Sequence, residues 1–195
     1  MKFLTTVVIA ALIGLAVQSS AQNFTVLKDA STVAWEGKRV ASGHNGTIDF
    51  KSGTMRVNNG QVTTGVFEID MTTIKCTDIA DANSNQRFIN HLNSDDFFSV
   101  ATHSSSRMTI TGVKQVSGNN YEYSGNLTIK GITHPITFNA TTEIAGSKLT
   151  ASGKMVIDRA KYDVKFGSGR FFENLGDRLI LDEFTLDFTL VANAE

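Results

Sequence analysis

Several stretches of the chain alternate apolar and polar residues with a period of two, and no other feature limits its folding as much. Tyr121, Tyr123, Gly125, Leu127 and Ile129 fall on one face of an extended segment, with Glu122, Ser124, Asn126, Thr128 and Lys130 on the other. The alternation returns through Ile136, Phe138, Ala140, Thr142 and Ile144, then Leu149, Ala151, Gly153, Met155 and Ile157, then Phe184, Leu186, Phe188 and Leu190. Less regular runs cover 24–27, 32–40, 46–57, 61–71 and 99–116. Together they predict about nine strands, separated by the turn-forming pairs Lys28-Asp29, Ser42-Gly43, Asn59-Gly60, Gly118-Asn119 and Gly146-Ser147.

An antiparallel meander with one apolar face must cover that face. A second sheet can do so, and so can curling into a barrel, which also removes exposed edges. The expected fold is all-β, an antiparallel barrel of about eight strands. The single proline, Pro135, is expected at a hairpin corner spanning Gly131 to Pro135, where a missing N–H costs least. Two segments break the period. Residues 83–92 carry Asn83 and Gln86 at capping-box spacing and apolar Phe88, Ile89 and Leu92, which predicts a short amphipathic helix. Residues 162–177 read as a loop with one helical turn; Phe97, Phe98, Phe171 and Phe172 join these two segments as a cover for one barrel end.

The first residues, MKFLTTVVIAALIGLAVQSSAQ, have the three parts of a secretory signal: Lys2, an apolar stretch from Phe3 to Val17, and the small residues Ser19-Ser20-Ala21. The apolar run falls short of the roughly 20 residues that span a membrane, so no stable membrane anchor is expected. Cleavage near Ala21 divides the chain into a signal peptide, 1–21, and one domain, 22–195, long enough for a self-sufficient core. Without Lys2, 17 basic residues face 19 acidic ones, scattered along the chain; this balance argues against a nucleic-acid partner. Cys76 is the only cysteine, so no intramolecular disulfide can form; a buried thiol or an intermolecular bridge are the two readings, and a monomer or a homodimer both stay open.

No catalytic motif emerges. His44, His91, His103 and His134 lie far apart without metal-ligand spacing, Cys76 has no histidine beside it in sequence, and 167–172 only begins like a dinucleotide loop. Adjacent Asp95-Asp96 reads as a solvated turn. No catalytic residue, no metal and no cofactor is predicted.

Five segments in series then carry a resemblance: GHNGTIDFKSGTM (43–55), FEIDMTTIKCTDI (67–79), FINHLNSDDFFSV (88–100), GNLTIKGITHPITF (125–138) and IDRAKYDVKFGSG (157–169). In this order the chain resembles the YceI-like family. The resemblance implies a lipocalin-like barrel, exported to the bacterial periplasm or secreted, whose apolar lumen binds a polyisoprenoid or similar long-chain lipid, with no enzymatic activity.

The inward alternation then supplies candidate ligand-binding residues: Trp35, Ile48, Phe50, Phe67, Ile69, Leu127, Ile129, Phe138, Met155, Ile157, Phe184, Leu186 and Phe188, joined by Phe88 and Leu92 from the cover. The same residues would fill a dry core. His44, Arg159, Lys161 and Arg170 are candidates to meet an anionic head group at the mouth, although an ordinary surface charge or a structural partner of Asp158 or Asp163 is the leading reading of each. A lipid carrier leads, ahead of a filled barrel acting through its surface and a lipid-directed hydrolase or isomerase.

Overall fold

The computed structural model describes residues 21–195, so the predicted signal segment, Ala21 apart, lies outside the described residues. Nine strands follow: β1 (Gln22–Val26), β2 (Thr32–Arg39), β3 (Gly43–Asn58), β4 (Gln61–Cys76), β5 (Ser105–Ser117), β6 (Asn120–Ile129), β7 (Ile132–Ala145), β8 (Lys148–Asp158) and β9 (Ile180–Ala194). One helix, α1 (Ala82–Asn93), lies between β4 and β5. Neighbouring strands from β2 to β9 pair antiparallel, and β2 pairs with β9 to close the wall. β1 and β2 run one after the other between the same neighbours, β3 and β9, with a 3₁₀ turn at Lys28–Ala30 between them, so nine strands fill eight barrel positions. The predicted all-β, lipocalin-like closed barrel is the observed architecture.

The regular alternation of the later strands becomes a regular wall. Tyr121, Tyr123, Leu127 and Ile129 are buried, while Ser124 and Asn126 between them are exposed. β3 and β4 read less clearly because their parity changes. In β3 the buried positions shift from Ile48 and Phe50 to Met55 and Val57, across a register shift between Phe50 and Ser52. In β4 they shift from Met71 to Ile74 and Cys76, where the Asp70 carboxylate accepts hydrogen bonds from the Thr72 amide and hydroxyl. Each irregularity re-aims every later side chain on its strand.

Four expectations need correction. Pro135 is not at a corner: the turn is Lys130-Gly131, both with positive φ, and Pro135 sits inside β7 opposite Asn126. Counting out from that two-residue turn, Asn126–Pro135 is a pair that exchanges no ladder hydrogen bonds, so the proline nitrogen faces away from β6. β8 pairs with β7 only from Asn139 onward, leaving no partner on that side to lose. β5 starts at Ser105; residues 99–104 form turns, with Ser99 at φ 48°. The helix is capped by Asp81, whose side chain accepts from the Ser84 amide at 2.8 Å, rather than by Asn83. Phe171 and Phe172 are about half exposed, so they do not cover the barrel end.

The two ends differ. One is closed by the tight turns at Asn59-Gly60, Gly118-Asn119 and Gly146-Ser147, and Phe24, Leu149 and Ala192 beneath them are fully buried. The other carries α1 and the long 159–179 segment. That segment is anchored by Arg159, 5% exposed, whose guanidinium donates to the carbonyls of Val164, Phe166, Ile180 and Leu181 and lies 3.6 Å from Asp182.

Candidate functional site

Because the inward face of the wall is apolar and its side chains do not meet across the axis, the barrel encloses a cavity of about 550 Å³. This lies within the 300–1,000 Å³ range of ligand pockets. All fifteen residues proposed from the alternation and the cover line it, from Trp35, Ile48 and Phe50 through Leu127, Ile129 and Phe138 to Phe184, Leu186 and Phe188. Phe67, Ile69, Phe88, Leu92, Met155 and Ile157 complete that set. Deep in the barrel the lining includes an aromatic layer. Phe138 stacks on Tyr123 with centroids 5.6 Å apart and meets Phe188 edge-on at 5.9 Å. The Tyr123 and Thr142 hydroxyls bond to each other at 2.6 Å, satisfying the two polar groups inside that layer. Burial raises the Tyr123 phenol above its ordinary pKa, with the Thr142 bond opposing.

The mouth lies among the β2–β3 turn, α1 and the start of β9. Lys38, Arg39, Gly43, Arg178 and Leu181 border it and are exposed. α1 contributes Phe88, His91 and Leu92, and His91 packs edge-on against Phe97 at 4.9 Å and Phe166 at 4.6 Å. The Arg39 and Arg178 guanidiniums make no side-chain hydrogen bond or ion pair among the described residues. Sequence alternation missed both, because each stands where a strand or turn ends and facing is set by the loop. Met71, Ile74, Met108 and Ile110 also line the cavity; Met108 and Ile110 alternate within β5 and could have been found that way.

The four head-group candidates separate. His44 is at the mouth. Arg159 touches the cavity, but its donors are committed to the four carbonyls; burial pulls its pKa down, with Asp182 and Asp158 opposing. Arg170 is outside, bridging Asp158 at 2.8 Å and Asp182 at 2.9 Å, the structural pairing left open above. Lys161 is exposed and away from the cavity; its carbonyl accepts from His134 Nε2 at 3.0 Å.

The fold also brings a histidine to Cys76, which the sequence spacing did not suggest. Gly46 pairs with Cys76, and a Cβ on Gly46 would lie 1.7 Å from the Lys75 carbonyl oxygen, so only glycine lets β3 and β4 approach here. Cys76 is buried, its Sγ 3.0 Å from Asp78 Oδ1, and His44 Nδ1 lies 3.0 Å from Asp78 Oδ2. Burial raises the Cys76 thiol and its bond to Asp78 raises it further, opposite to what a nucleophilic thiolate needs. Burial opposes the charge of Asp78, but bonds from Cys76, His44 and the Asn45 amide hold its pKa below the usual value.

A family model and solved structures place the chain among known proteins. The family model described as YceI-like domain matches residues 24–192. A comparison with curated proteins gives no match. Among solved structures, BcnA of Burkholderia cenocepacia is similar at a TM-score of 0.69 and 22% identity, over 85% of this chain and 98% of that one. A polyisoprenoid binding domain from Saccharophagus degradans, implicated in plant cell wall breakdown, is similar at 0.61 and 16%, over 88% and 98%. The Campylobacter jejuni YCEI protein follows at 0.55 and 18%, over 82% and 84%.

Proposed function

The chain belongs to the YceI-like family, and from that premise we propose that it is an exported lipid-binding protein holding a long apolar chain, a polyisoprenoid or fatty amphiphile, in its barrel. The observation that carries this reading is the 550 Å³ cavity with its almost wholly apolar lining. A filled barrel acting through its surface would leave no such volume. The described binding domain of Saccharophagus degradans shares the architecture and supports the ligand class.

An isoprenoid or acyl chain has few polar handles, so its affinity must come from area removed from water. Each buried methylene contributes about 0.8 kcal/mol, so a ten-methylene segment supplies roughly 8 kcal/mol before the costs of ordering and association. The lipid enters between α1 and the β2–β3 turn and reaches the Tyr123–Phe138–Phe188 layer. An anionic head then meets Arg39 and Arg178, which have no side-chain partner to give up among the described residues, with His44 beside them. Transport and sequestration both use this geometry.

The test is native mass spectrometry of protein purified from its own host without detergent, followed by solvent extraction of the same sample. A stoichiometric extra mass that extracts as a prenyl or acyl chain is the expected result. A clean unliganded mass, unchanged after incubation with such lipids, would overturn the reading.

A further inference from the structure

We propose that His44, Cys76 and Asp78 form a binding site for zinc or a similar borderline divalent cation, at the rim of the barrel and independent of the lipid-binding reading. Each offers one ligand atom, and these atoms lie within 4.8 Å of one another. They come from three places, the start of β3, the end of β4 and the turn after it, and the ladder holds those places in register through the Gly46–Cys76 pair and the Thr77 amide bond to the Asn45 carbonyl. Asn85 of α1 donates to the Cys76 and Ile79 carbonyls, fixing the turn that carries Asp78.

The geometry favours one ion over three separate roles. Asp78 presents one oxygen to the thiol and the other to the imidazole, so the carboxylate faces both remaining ligands. Zinc bonds of 2.0–2.3 Å at tetrahedral angles need ligand atoms about 3.3–3.6 Å apart. The two 3.0 Å contacts would open by roughly half an ångström on that measure, within reach of side-chain rotation. Thiolate, imidazole and carboxylate together suit zinc or cobalt, whereas magnesium and calcium select oxygen. Three protein ligands leave a fourth position for water or an exogenous ligand.

Binding balances simply. The Cys76 S–H proton leaves to solvent as the sulfur–metal bond forms, and the proton on His44 Nδ1 is relocated to Nε2, freeing the Nδ1 lone pair. The Asp78 carboxylate exchanges the Cys76 and His44 donors for the metal and keeps the Asn45 amide. Because His44 packs on Phe88 at 4.5 Å and lines the mouth, the ion would also tie the barrel wall to the helix that borders the cavity.

The test is titration of the reduced, metal-free protein with cobalt chloride, read by absorption. One equivalent should give a thiolate-to-cobalt charge-transfer band with four-coordinate visible bands, reversed by zinc chloride. Cys76→Ser should lose the charge-transfer band, and His44→Gln and Asp78→Asn should each weaken binding by about tenfold or more, with circular dichroism confirming that each variant folds. Cys76→Ala replaces the serine variant if that one unfolds. No charge-transfer band in the wild-type protein, or undiminished affinity in both His44→Gln and Asp78→Asn, would overturn the site.

Discussion

The two ends of the barrel are built from the same strands and do opposite things. At the hairpin end, short turns bring the wall together and Phe24, Leu149 and Ala192 fill it without exposed surface. At the mouth, two of the connections are long, α1 and the 159–179 segment stand over an apolar space, and Phe166, Phe171, Phe172 and Leu181 are 40–48% exposed. The hairpin end is sealed, and the other end gives access to the cavity. The Tyr123–Phe138–Phe188 layer lies deep in the barrel, and the cavity lining continues past it to Val62 and Leu190.

Substitutions can break this contrast. Phe24→Ala at the closed end should cost about 3–5 kcal/mol of unfolding free energy, while Phe171→Ser at the mouth stays within about 0.5 kcal/mol, both read by urea denaturation. Comparable costs would show that the mouth is as tightly packed as the closed end. Arg159→Met leaves four carbonyls without their donor and removes one of the two cations beside Asp182, and should cost about 3 kcal/mol, with faster proteolysis inside 159–179 as a local readout.

Phe138→Asp puts a carboxylate into the lumen and should weaken retention of a fluorescent fatty acid by about tenfold or more. Asn139→Asp, on the exposed outer face, should leave it unchanged. Equal effects would contradict the facing of β7. The smallest expected effect lies in the aromatic layer. Tyr123→Phe leaves the buried Thr142 hydroxyl without its partner, at a cost of about 1 kcal/mol. Because the folded state raises the Tyr123 pKa, its contribution is complete below the ordinary phenol value near 10 and is lost as pH rises through the folded value. The wild-type and Phe variants should therefore converge in stability at high pH, measured by denaturation at pH 8 and pH 11.

The inward face was legible because period two is a local property. Once Leu127 faces in, so does Ile129, and every residue proposed for the lumen lines the cavity. Three of the predicted turns also stand where the pairs Asn59-Gly60, Gly118-Asn119 and Gly146-Ser147 put them. The misreadings occurred where local pattern and pairing part company. Pro135 looks like a strand breaker until β8 is seen to leave that stretch of β7 unpaired. Asn83 fits a cap by spacing, yet the chain enters the helix earlier and Asp81 takes the amide. The fates of Arg159 and Arg170 turned on which carbonyls and carboxylates the 159–179 segment brings to them.

The sequence by itself determined the all-β class, the apolar inner surface and its resemblance to one family, since these need only alternation, turn residues and ordered local motifs. The tertiary structure decided that the lumen is hollow, that Arg39 and Arg178 stand at its mouth without a side-chain partner among the described residues, and that His44, Cys76 and Asp78 meet. Those facts depend on how far the closed wall holds its strands apart and on the register between them. Both are set by contacts between residues distant in sequence, which no short window of residues contains.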